Sequence, residues 1–321
     1  MVDLVSVVVP LYNKERWISR AVQSVLAQTH QNFELIVVDD GSTDNGAEIV
    51  RGYEDSRIRI ISKDNGGVSS ARNLGIKVAI GRFIAFLDAD DEWRPFHLEV
   101  LIKGFELNDG VVAVCDDHAL LEGPVSQAVS NTELFKELGS ITGYTFYKFS
   151  IPKTLSRDLF VPNSSCTVVR TQVLMENNLF FEEGMQQGED VNFWIKIGFL
   201  GGFLYCDYPG AVYHRDDSGS LMNLKRQVAK PMPDYLKGVY LSKLSKSEVS
   251  DLMSFLRLEG LKAAYQNRGL PLNRNELEIL DKNSIGLVSK SLYVYVRFCP
   301  NFLMEISKSF KSFVFSFRLV K

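Results

Sequence analysis

The sequence Arg82-Phe83-Ile84-Ala85-Phe86-Leu87-Asp88-Ala89-Asp90-Asp91 is an apolar run that ends abruptly in three carboxylates. Two like charges about 4 Å apart repel each other by roughly 4 kcal/mol at an effective dielectric constant of about 20. Three aspartates within four positions therefore imply either wide solvation or a bound cation. The chain before them helps to choose between these two interpretations.

An Asp-rich turn after a strand is also common as a solvated loop or as a helix N-cap. Here, however, the acidic turn closes the fourth in a series of predicted apolar strands. In an open α/β sheet, ligands bind just outside the carboxyl ends of the strands, which is where Asp88, Asp90 and Asp91 are expected. Carboxylates together with a phosphate-bearing ligand are the usual way to hold Mg²⁺ or Mn²⁺.

Three strands are predicted before this run. Residues 4–10 are almost all apolar and mostly β-branched, as expected of a strand buried on both faces of a parallel sheet. One face of the helix that follows carries Ile18, Ala21, Val22, Val25 and Leu26. The second strand, residues 34–38, ends in Asp39-Asp40-Gly41-Ser42-Thr43-Asp44 and is followed by a helix to about residue 53. The third, residues 57–61, opens into Asp64-Asn65-Gly66-Gly67-Val68-Ser69-Ser70-Ala71-Arg72-Asn73.

Gly66 and Gly67 precede a predicted helix, and such a pair can form a nest of backbone N–H groups suited to phosphate. This is not a P-loop, because the G-K-[ST] ending is missing. A Rossmann G-x-G-x-x-G is absent as well.

Further elements are predicted beyond the acidic turn. They are a helix near residues 95–107, a strand at 111–115, renewed order at 163–170, a helix that begins at Glu189-Asp190 and turns Phe193, Trp194 and Ile197 inward, and strands at 203–206 and 211–214. Periodicity is poor from residue 119 to about 158, which is typical of a functional loop. The strand signal stops near residue 225, so we predict two domains, residues 1–225 and a helical C-terminal region at 226–321.

Composition limits the function classes. The chain of 321 residues is 45% hydrophobic and has a formal net charge of -3, which argues against a general nucleic-acid binder. The four cysteines, Cys115, Cys166, Cys206 and Cys299, are far apart, as is typical of reduced thiols in a cytosolic protein. No signal peptide and no apolar run of about 18 residues is present, so a cytoplasmic location is expected.

Five motifs carry a resemblance to a known family. They are Val9-Pro10-Leu11-Tyr12-Asn13, Val38-Asp39-Asp40-Gly41-Ser42-Thr43-Asp44, Asn65-Gly66-Gly67-Val68-Ser69-Ser70-Ala71-Arg72-Asn73, Leu87-Asp88-Ala89-Asp90-Asp91 and Glu189-Asp190. In this order and at strand ends, they resemble the inverting glycosyltransferases of family 2 over about residues 4–222. The resemblance implies a GT-A fold, an α/β architecture with a Rossmann-like, mostly parallel sheet flanked by helices. It also implies a nucleotide-sugar donor, most often a UDP-sugar, and a Mn²⁺ or Mg²⁺ cofactor.

The resemblance also implies a role for each matching residue. Pro10, Tyr12 and Asn13 would border the nucleotide base, Asp40 would hydrogen-bond it with Asp39 alongside, Gly67 would lie at the nucleotide-sugar and Arg72 would support the base or diphosphate. Asp88 and Asp90 would contact the sugar or ribose, Asp91 would bind the metal, and Asp190 would be the catalytic base with Glu189 beside it. His214 resembles a late histidine that approaches the metal, although the following Arg215-Asp216-Asp217 departs from the commoner spacing.

Structural interpretations compete with these roles. Asp39 and Asp40 could terminate a strand, Asp190 could be an ordinary acid at a helix N-terminus, and His214 could be a packed core histidine. At the level of the whole chain, the main alternative is a non-catalytic nucleotide-sugar-binding subunit or scaffold, because fold does not establish function. A sugar-nucleotide pyrophosphorylase would need a Gly-rich N-terminal loop with Arg and Lys, which is absent. A glycosidase would need two carboxylates flanking the sugar.

The function predicted is transfer of a hexosyl or N-acetylhexosaminyl group to a hydroxyl of a glycan or lipid-linked acceptor in surface polysaccharide synthesis. The charge of the C-terminal tail favours a lipid-linked acceptor. From Lys290 onward the tail has one acidic residue, Glu305, and six basic residues, which are Lys290, Arg297, Lys308, Lys311, Arg318 and Lys321. A Phe-rich helical face at 302–317 with basic residues elsewhere is suited to the inner face of an anionic membrane. Alternatively, this face packs on the catalytic domain or makes a homo-oligomer.

Overall fold

A large central sheet organises the structure, a computed structural model that describes residues 3–122, 125–129, 140–141, 146–149, 162–185, 189–198 and 200–214. The strands are β1 (Val5–Leu11), β2 (Phe33–Asp39), β3 (Ile58–Ser62), β4 (Phe83–Phe86), β5 (Glu92–Trp93), β6 (Val111–Glu122), β7 (Val125–Val129), β8 (Ser140–Ile141), β9 (Phe146–Phe149), β10 (Thr167–Arg170) and β11 (Gly202–His214). The helices are α1 (Ile18–Leu26), α2 (Gly46–Arg51), α3 (Val68–Val78), α4 (His97–Leu107), α5 (Thr171–Glu176) and α6 (Glu189–Gly198), with a short 3-10 helix at Ser164–Cys166.

The N-terminal half of the sheet is parallel, in the order β3-β2-β1-β4. Its strands are buried on both faces, as the β-branched run predicts. Val7 and Val37 belong to a core that includes residues of α1 and α4, whereas Ile36 and Val38 pack with Ala71 of α3 on the other face. The alternation of strand side chains therefore places helices on both sides of the sheet, as predicted for an α/β fold.

Helix α3 lies very close to β1. A Cβ atom added to Gly75 would come within 2.3 Å of Val8 Cγ1, so only glycine fits at this contact. Because α3 also carries Arg72, this close approach sets how deeply the arginine side chain lies above the carboxyl ends of β1 and β4.

The sheet becomes mixed beyond β4. Strand β10 lies between β4 and β6 and is antiparallel to both, and β11 is parallel to β6. Strands β6 and β11 therefore run in the same direction as β4, so the carboxyl end of β11 and the amino end of β10 share an edge with the carboxyl ends of β1, β2 and β4. The prediction of a mostly parallel sheet describes the first four strands, and the antiparallel β10 was not foreseen.

Two regions are more regular than predicted. Strand β6 continues to Glu122 and pairs with β7, and β8 pairs with β9, so part of the stretch expected to be irregular is sheet. Residues 203–206 and 211–214 belong to one strand, β11, with register shifts on either side of Pro209. A proline next to a bulge is compatible with a strand, but it interrupts the strand pattern of the sequence, so that one strand is predicted as two.

The described residues contain no helix that is both long enough and apolar enough to cross a membrane. The helical C-terminal region predicted for 226–321, including the basic, Phe-rich tail, lies outside the described residues. The division into two domains therefore stays a prediction.

Candidate active site

The loops after β1 and β2 are tied to each other. Asn13 adopts a positive φ of 51°, and its Oδ1 accepts hydrogen bonds from Thr43 N (2.8 Å) and Thr43 Oγ1 (3.2 Å). Asn13 N in turn donates to Ser42 Oγ (3.2 Å), while Asp39 Oδ1 accepts from Ser42 N (2.9 Å). Tyr12 is 48% exposed beside them. The residues predicted to border a base thus form one rigid rim, with Tyr12 free to present its ring.

Asp40 is the anchor of the loop that follows β3. Its side chain is buried, and its two carboxylate oxygens accept hydrogen bonds from Gly66 N (3.0 Å) and Gly67 N (2.7 Å), while Lys63 Nζ lies 2.5 Å from Oδ1. Gly67 has a φ of 85°, which glycine adopts without strain. The anion held by these two N–H groups is therefore the carboxylate of Asp40, not the phosphate that the sequence predicts. Contact of Asp40 or Gly67 with a nucleotide stays a prediction.

Arg72 joins distant parts of the chain. Its guanidinium is buried and donates to Asp88 Oδ1 (2.6 Å) and to Glu189 Oε1 (3.1 Å), and it lies over the ring of Phe181. Burial alone would lower the pKa of Arg72, but the carboxylates of Asp88, Glu189 and Asp190 raise it above its ordinary value. The arginine therefore gathers the predicted base, Asp190, and its neighbour around the end of β4.

The turn after β4 holds its three carboxylates differently. Asp88 is partly exposed and bound to Arg72, whereas Asp90 Oδ2 lies 2.6 Å from Lys14 Nζ, and the Asp90 carbonyl accepts from Arg20. Asp91 is buried, and its Oδ2 accepts a hydrogen bond from Ser165 Oγ (2.8 Å). Each carboxylate thus has its own hydrogen-bond partner, and that of the buried Asp91 is neutral, with the charge of Arg20 acting on it from nearby.

The pKa of Asp91 is raised well above its ordinary value. Burial is the largest cause, and the neighbouring charges of Asp88 and Asp90 add to it, while the hydrogen bond from Ser165 works in the opposite direction. A cation near this carboxylate would reverse the effect of burial and of the like charges.

The donor chemistry of this turn fits Mg²⁺ or Mn²⁺. Mg²⁺ is commonly held by one or two carboxylates together with substrate phosphates and does not need a cage of protein ligands. The described residues include no group of three His, Cys, Asp or Glu side chains that could hold a metal ion. Asp91 with Asp88 or Asp90 would supply carboxylate oxygens, and a diphosphate would supply the rest.

His214 lies at the same edge, at the end of β11. Its Nε2 is 3.2 Å from Glu92 Oε1, without the alignment of a hydrogen bond. Its predicted role as a second metal ligand is neither supported nor contradicted by this position and stays a prediction.

All the predicted site residues are found at or near the edge of the sheet that the carboxyl ends of β1, β2 and β4 form. They are Pro10, Tyr12, Asn13, Asp39, Asp40, Gly67, Arg72, Asp88, Asp90, Asp91, Glu189, Asp190 and His214. The sequence analysis missed Lys14, Lys63 and Ser165, which contact the predicted aspartates. Lys63 directly follows β3 and Lys14 lies in the loop shortly after β1, a signal that could have been used. The position of Ser165 depends on the antiparallel β10, which the sequence pattern does not reveal.

This arrangement can be compared with known proteins. The sequence model of the family described as "Glycosyl transferase family 2" matches residues 6–177, which is more than half of the chain. The chain belongs to glycosyl transferase family 2. The matched range includes the aspartates from Asp39 to Asp91 and ends before Glu189, Asp190 and His214, so the family match carries no information on these three.

Two relatives within the family align with most of the described chain. The glycosyltransferase GlyG of Streptococcus pneumoniae is 41% identical over 239 residues, which are 69% of this chain and 74% of GlyG. The Escherichia coli protein WfgD, named UDP-Glc:alpha-D-GlcNAc-diphosphoundecaprenol beta-1,3-glucosyltransferase, is 34% identical over 197 residues, which are 60% of this chain and 69% of WfgD.

A solved structure confirms the fold. The Staphylococcus aureus TarS fragment 1–349 in complex with UDP-GlcNAc has a TM-score of 0.57 with this family 2 chain at 19% identity, and the alignment covers 91% of this chain and 79% of TarS. This likeness supports the predicted GT-A architecture. The chain spans only 30% to 35% of the length of three glycosyltransferases of Rickettsia that it also matches.

Proposed function

We propose that the chain is an inverting glycosyltransferase that moves a hexosyl or N-acetylhexosaminyl group from a UDP-sugar to a hydroxyl of a glycan or lipid-linked acceptor in surface polysaccharide synthesis. The observation that carries the proposal is the position of Arg72, which brings Asp190 and Glu189 of α6 to Asp88 at the end of β4. This position supports the assignment of a base on α6 beside the predicted sugar site. The name of WfgD and the UDP-GlcNAc complex of TarS support the choice of a UDP-sugar.

The chemistry assigned to Asp190 is that of a general base. The acceptor oxygen attacks the anomeric carbon, the bond from that carbon to the diphosphate breaks on the opposite face, and the hydroxyl proton passes to the Asp190 carboxylate. A base must be ionised to accept this proton. Asp190 lies near enough to the buried cation of Arg72 for its charge to raise the pKa of the arginine, which supports its assignment beside the predicted sugar site.

Asp91 is the proposed metal ligand, with Asp88 or Asp90 beside it and His214 as a further candidate. A Mn²⁺ or Mg²⁺ ion bound there supplies positive charge that offsets the charge of the departing diphosphate. Lys14 and Arg72 neutralise Asp90 and Asp88 in part, which keeps three aspartates close together when no cation is present.

Release of nucleoside diphosphate tests the proposed function. We would incubate the chain with a panel of nucleotide-sugars, with and without glycan and lipid-linked acceptors, in the presence of Mn²⁺. An enzyme releases UDP from a UDP-sugar faster when the correct acceptor is added. Binding of UDP without release from any donor and acceptor pair would instead favour the non-catalytic subunit.

The tail gives a second part of the proposal. We assign residues 226–321 to a C-terminal region whose basic, Phe-rich end binds the inner face of the membrane and brings the active site to a lipid-linked acceptor. Its charges support this, with six basic residues and one acidic residue from Lys290 onward. The lipid carrier in the name of WfgD agrees with it. Flotation with anionic vesicles tests it, because a chain ending at Asp281 should float less than the full chain. Equal and poor flotation would assign the tail to the fold or to oligomerisation.

A further inference from the structure

The turn that carries Asp88, Asp90 and Asp91 has few backbone bonds of its own. Leu87 N donates to Val8 O (3.1 Å), where the turn leaves the sheet, and Asp91 N donates to Asp88 O (3.0 Å) within it. The three carboxylates repel one another, so this short backbone segment would spread unless another part of the chain held it.

Ser165 supplies that hold through three contacts. Its Oγ accepts a hydrogen bond from Asp88 N (3.2 Å) and donates one to Asp91 Oδ2 (2.8 Å), while its carbonyl accepts from Trp93 Nε1 (2.7 Å). Because the Asp88 N–H is a donor, the Ser165 hydroxyl proton must point to Asp91. One residue therefore fixes the beginning of the turn, the buried carboxylate and the residue that ends β5.

Ser165 is itself held in place from both sides. It is 1% exposed and lies in the 3-10 helix Ser164–Cys166, directly before β10, which is an internal strand between β4 and β6. Thr167 Oγ1 bonds back to Asn163 O (2.7 Å), which closes the segment around Ser165. The hydroxyl therefore comes from a rigid element and can orient a less rigid one.

We propose that Ser165 is a positioning residue that orients the Asp91 carboxylate and the Asp88 backbone for the cation and the diphosphate of the donor. The Ser165 hydroxyl occupies one oxygen of Asp91 and fixes the rotation of the carboxylate, which leaves the other oxygen to face a cation. The inference rests on the proposed function, because it assigns Ser165 a part in the binding of the same donor.

The neighbouring Ser164 provides a matched control. It lies in the same 3-10 helix, it is 3% exposed, and its Oγ has no hydrogen-bond partner among the described residues. Ser164→Ala and Ser165→Ala therefore remove the same atom from adjacent buried positions, and only the second removes contacts with the acidic turn. Ser165→Thr keeps the hydroxyl and tests rescue.

The experiment is calorimetric titration of the full chain and the three variants with UDP, with Mn²⁺ and with a chelator. Ser165→Ala should weaken UDP binding in Mn²⁺ by about 10-fold or more, the factor expected when a hydrogen bond to a charged group is lost. UDP affinity in chelator should stay near that of the wild type. Ser164→Ala should bind within about 2-fold of the wild type in both conditions, and Ser165→Thr should recover most of the lost affinity.

The outcomes separate this inference from the proposed function. Equal UDP affinities for Ser164→Ala and Ser165→Ala in Mn²⁺ overturn the positioning role. A wild-type chain that does not bind UDP, or binds it equally with and without Mn²⁺, overturns the proposed donor or metal before any variant is compared, and the inference falls with it. Thermal melts of each variant check folding. If Ser165→Ala does not fold, the positioning role requires weaker binding by Ser165→Cys, a poorer donor, than by Ser165→Thr.

Discussion

Asp40 and Asp91 lie at the same edge of the sheet and are almost equally buried, yet their carboxylates have different partners. Asp40 receives two backbone N–H groups and the ammonium of Lys63. Asp91 receives one hydroxyl, from Ser165, and faces the charges of Asp88 and Asp90, which the charge of Arg20 offsets only in part. Both carboxylates are buried. They differ in the positive charge and the N–H donors around them, of which Asp40 has more.

The difference indicates that the two carboxylates have different roles. A buried carboxylate that is fully hydrogen-bonded fixes the backbone around it, and Asp40 does so for the glycines of the loop before α3. A buried carboxylate with too few donors stores an unfavourable charge that a ligand can relieve. We infer that Asp40 shapes the nucleotide side of the site and that Asp91 keeps a place for a cation.

The largest effect that we predict concerns the chemical step, which we assign to neither Asp40 nor Asp91 but to Asp190. Asp190→Asn should leave UDP affinity nearly unchanged and lower kcat by a factor of roughly 10²–10⁴, the range typical of a lost general base. Steady-state rates at saturating donor and acceptor measure this. The control is Glu189→Gln, which also removes a carboxylate near Arg72 and should lower kcat less. An unchanged kcat in Asp190→Asn would rule out the role and make Glu189 the next candidate.

The second prediction concerns the cation. Asp91→Ala should lower the affinity for UDP in Mn²⁺ by about 10-fold or more and leave the affinity in chelator unchanged, because the lost group is a ligand that contributes charge. Calorimetry in the two conditions measures the difference. If wild type and variant bind UDP equally in Mn²⁺ and in chelator, the assignment of Asp91 to the metal is wrong.

Sequence patterns predicted the parallel half of this fold well. The β-branched run at residues 4–10 and the acidic strand ends gave β1, β2 and β4, because their signals are local and repeat along the chain. The role of Ser165 could not be predicted, since it depends on β10 entering the sheet antiparallel beside β4. The partner of the Gly66–Gly67 N–H groups could not be predicted, because a sequence shows that a nest can form and not which anion reaches it.

The third prediction tests the comparison of Asp40 with Asp91 directly, because we expect the two Asn variants to change the free energy of unfolding in opposite directions. Asp40→Asn places an amide NH₂ or a single oxygen against two N–H donors and should lower the free energy of unfolding by roughly 1–3 kcal/mol. Asp91→Asn keeps an acceptor for Ser165 but removes a buried charge, and should raise the free energy of unfolding, because burial and the charges of Asp88 and Asp90 disfavour the ionised carboxylate. Urea unfolding in chelator measures both. Changes of the same sign would show that the two carboxylates do not differ as argued.

A third buried carboxylate, behind the acidic turn, sharpens the comparison further. Asp116 Oδ2 lies 2.7 Å from His97 Nδ1, and both side chains are fully buried. Burial raises the pKa of Asp116 well above its ordinary value, with the charge of Asp117 adding to it, and burial lowers the pKa of His97 to about 3. Because both pKa shifts favour the uncharged form of each group, the protonated carboxyl of Asp116 donates to the neutral Nδ1 of His97, and the folded pair holds one titratable proton. Here a proton, and not a cation, offsets the charge.

The pH dependence of stability follows from that proton. In the unfolded chain, Asp116 loses its proton above its ordinary pKa of 3.8 and His97 loses its proton above 6.5. Between these values the folded and unfolded pair hold one proton each, so the pair adds no pH dependence. Above pH 6.5 the folded pair holds more protons than the unfolded one, and stability falls with rising pH by up to about 1.4 kcal/mol per pH unit until the folded Asp116 ionises. Asp116→Asn cannot hold this proton, so wild type should lose stability relative to the variant as the pH rises above 6.5 in urea unfolding. Parallel curves for the two proteins over this range would show that the folded pair carries no extra proton, and that Asp116 is ionised and must be offset in the same way as Asp40.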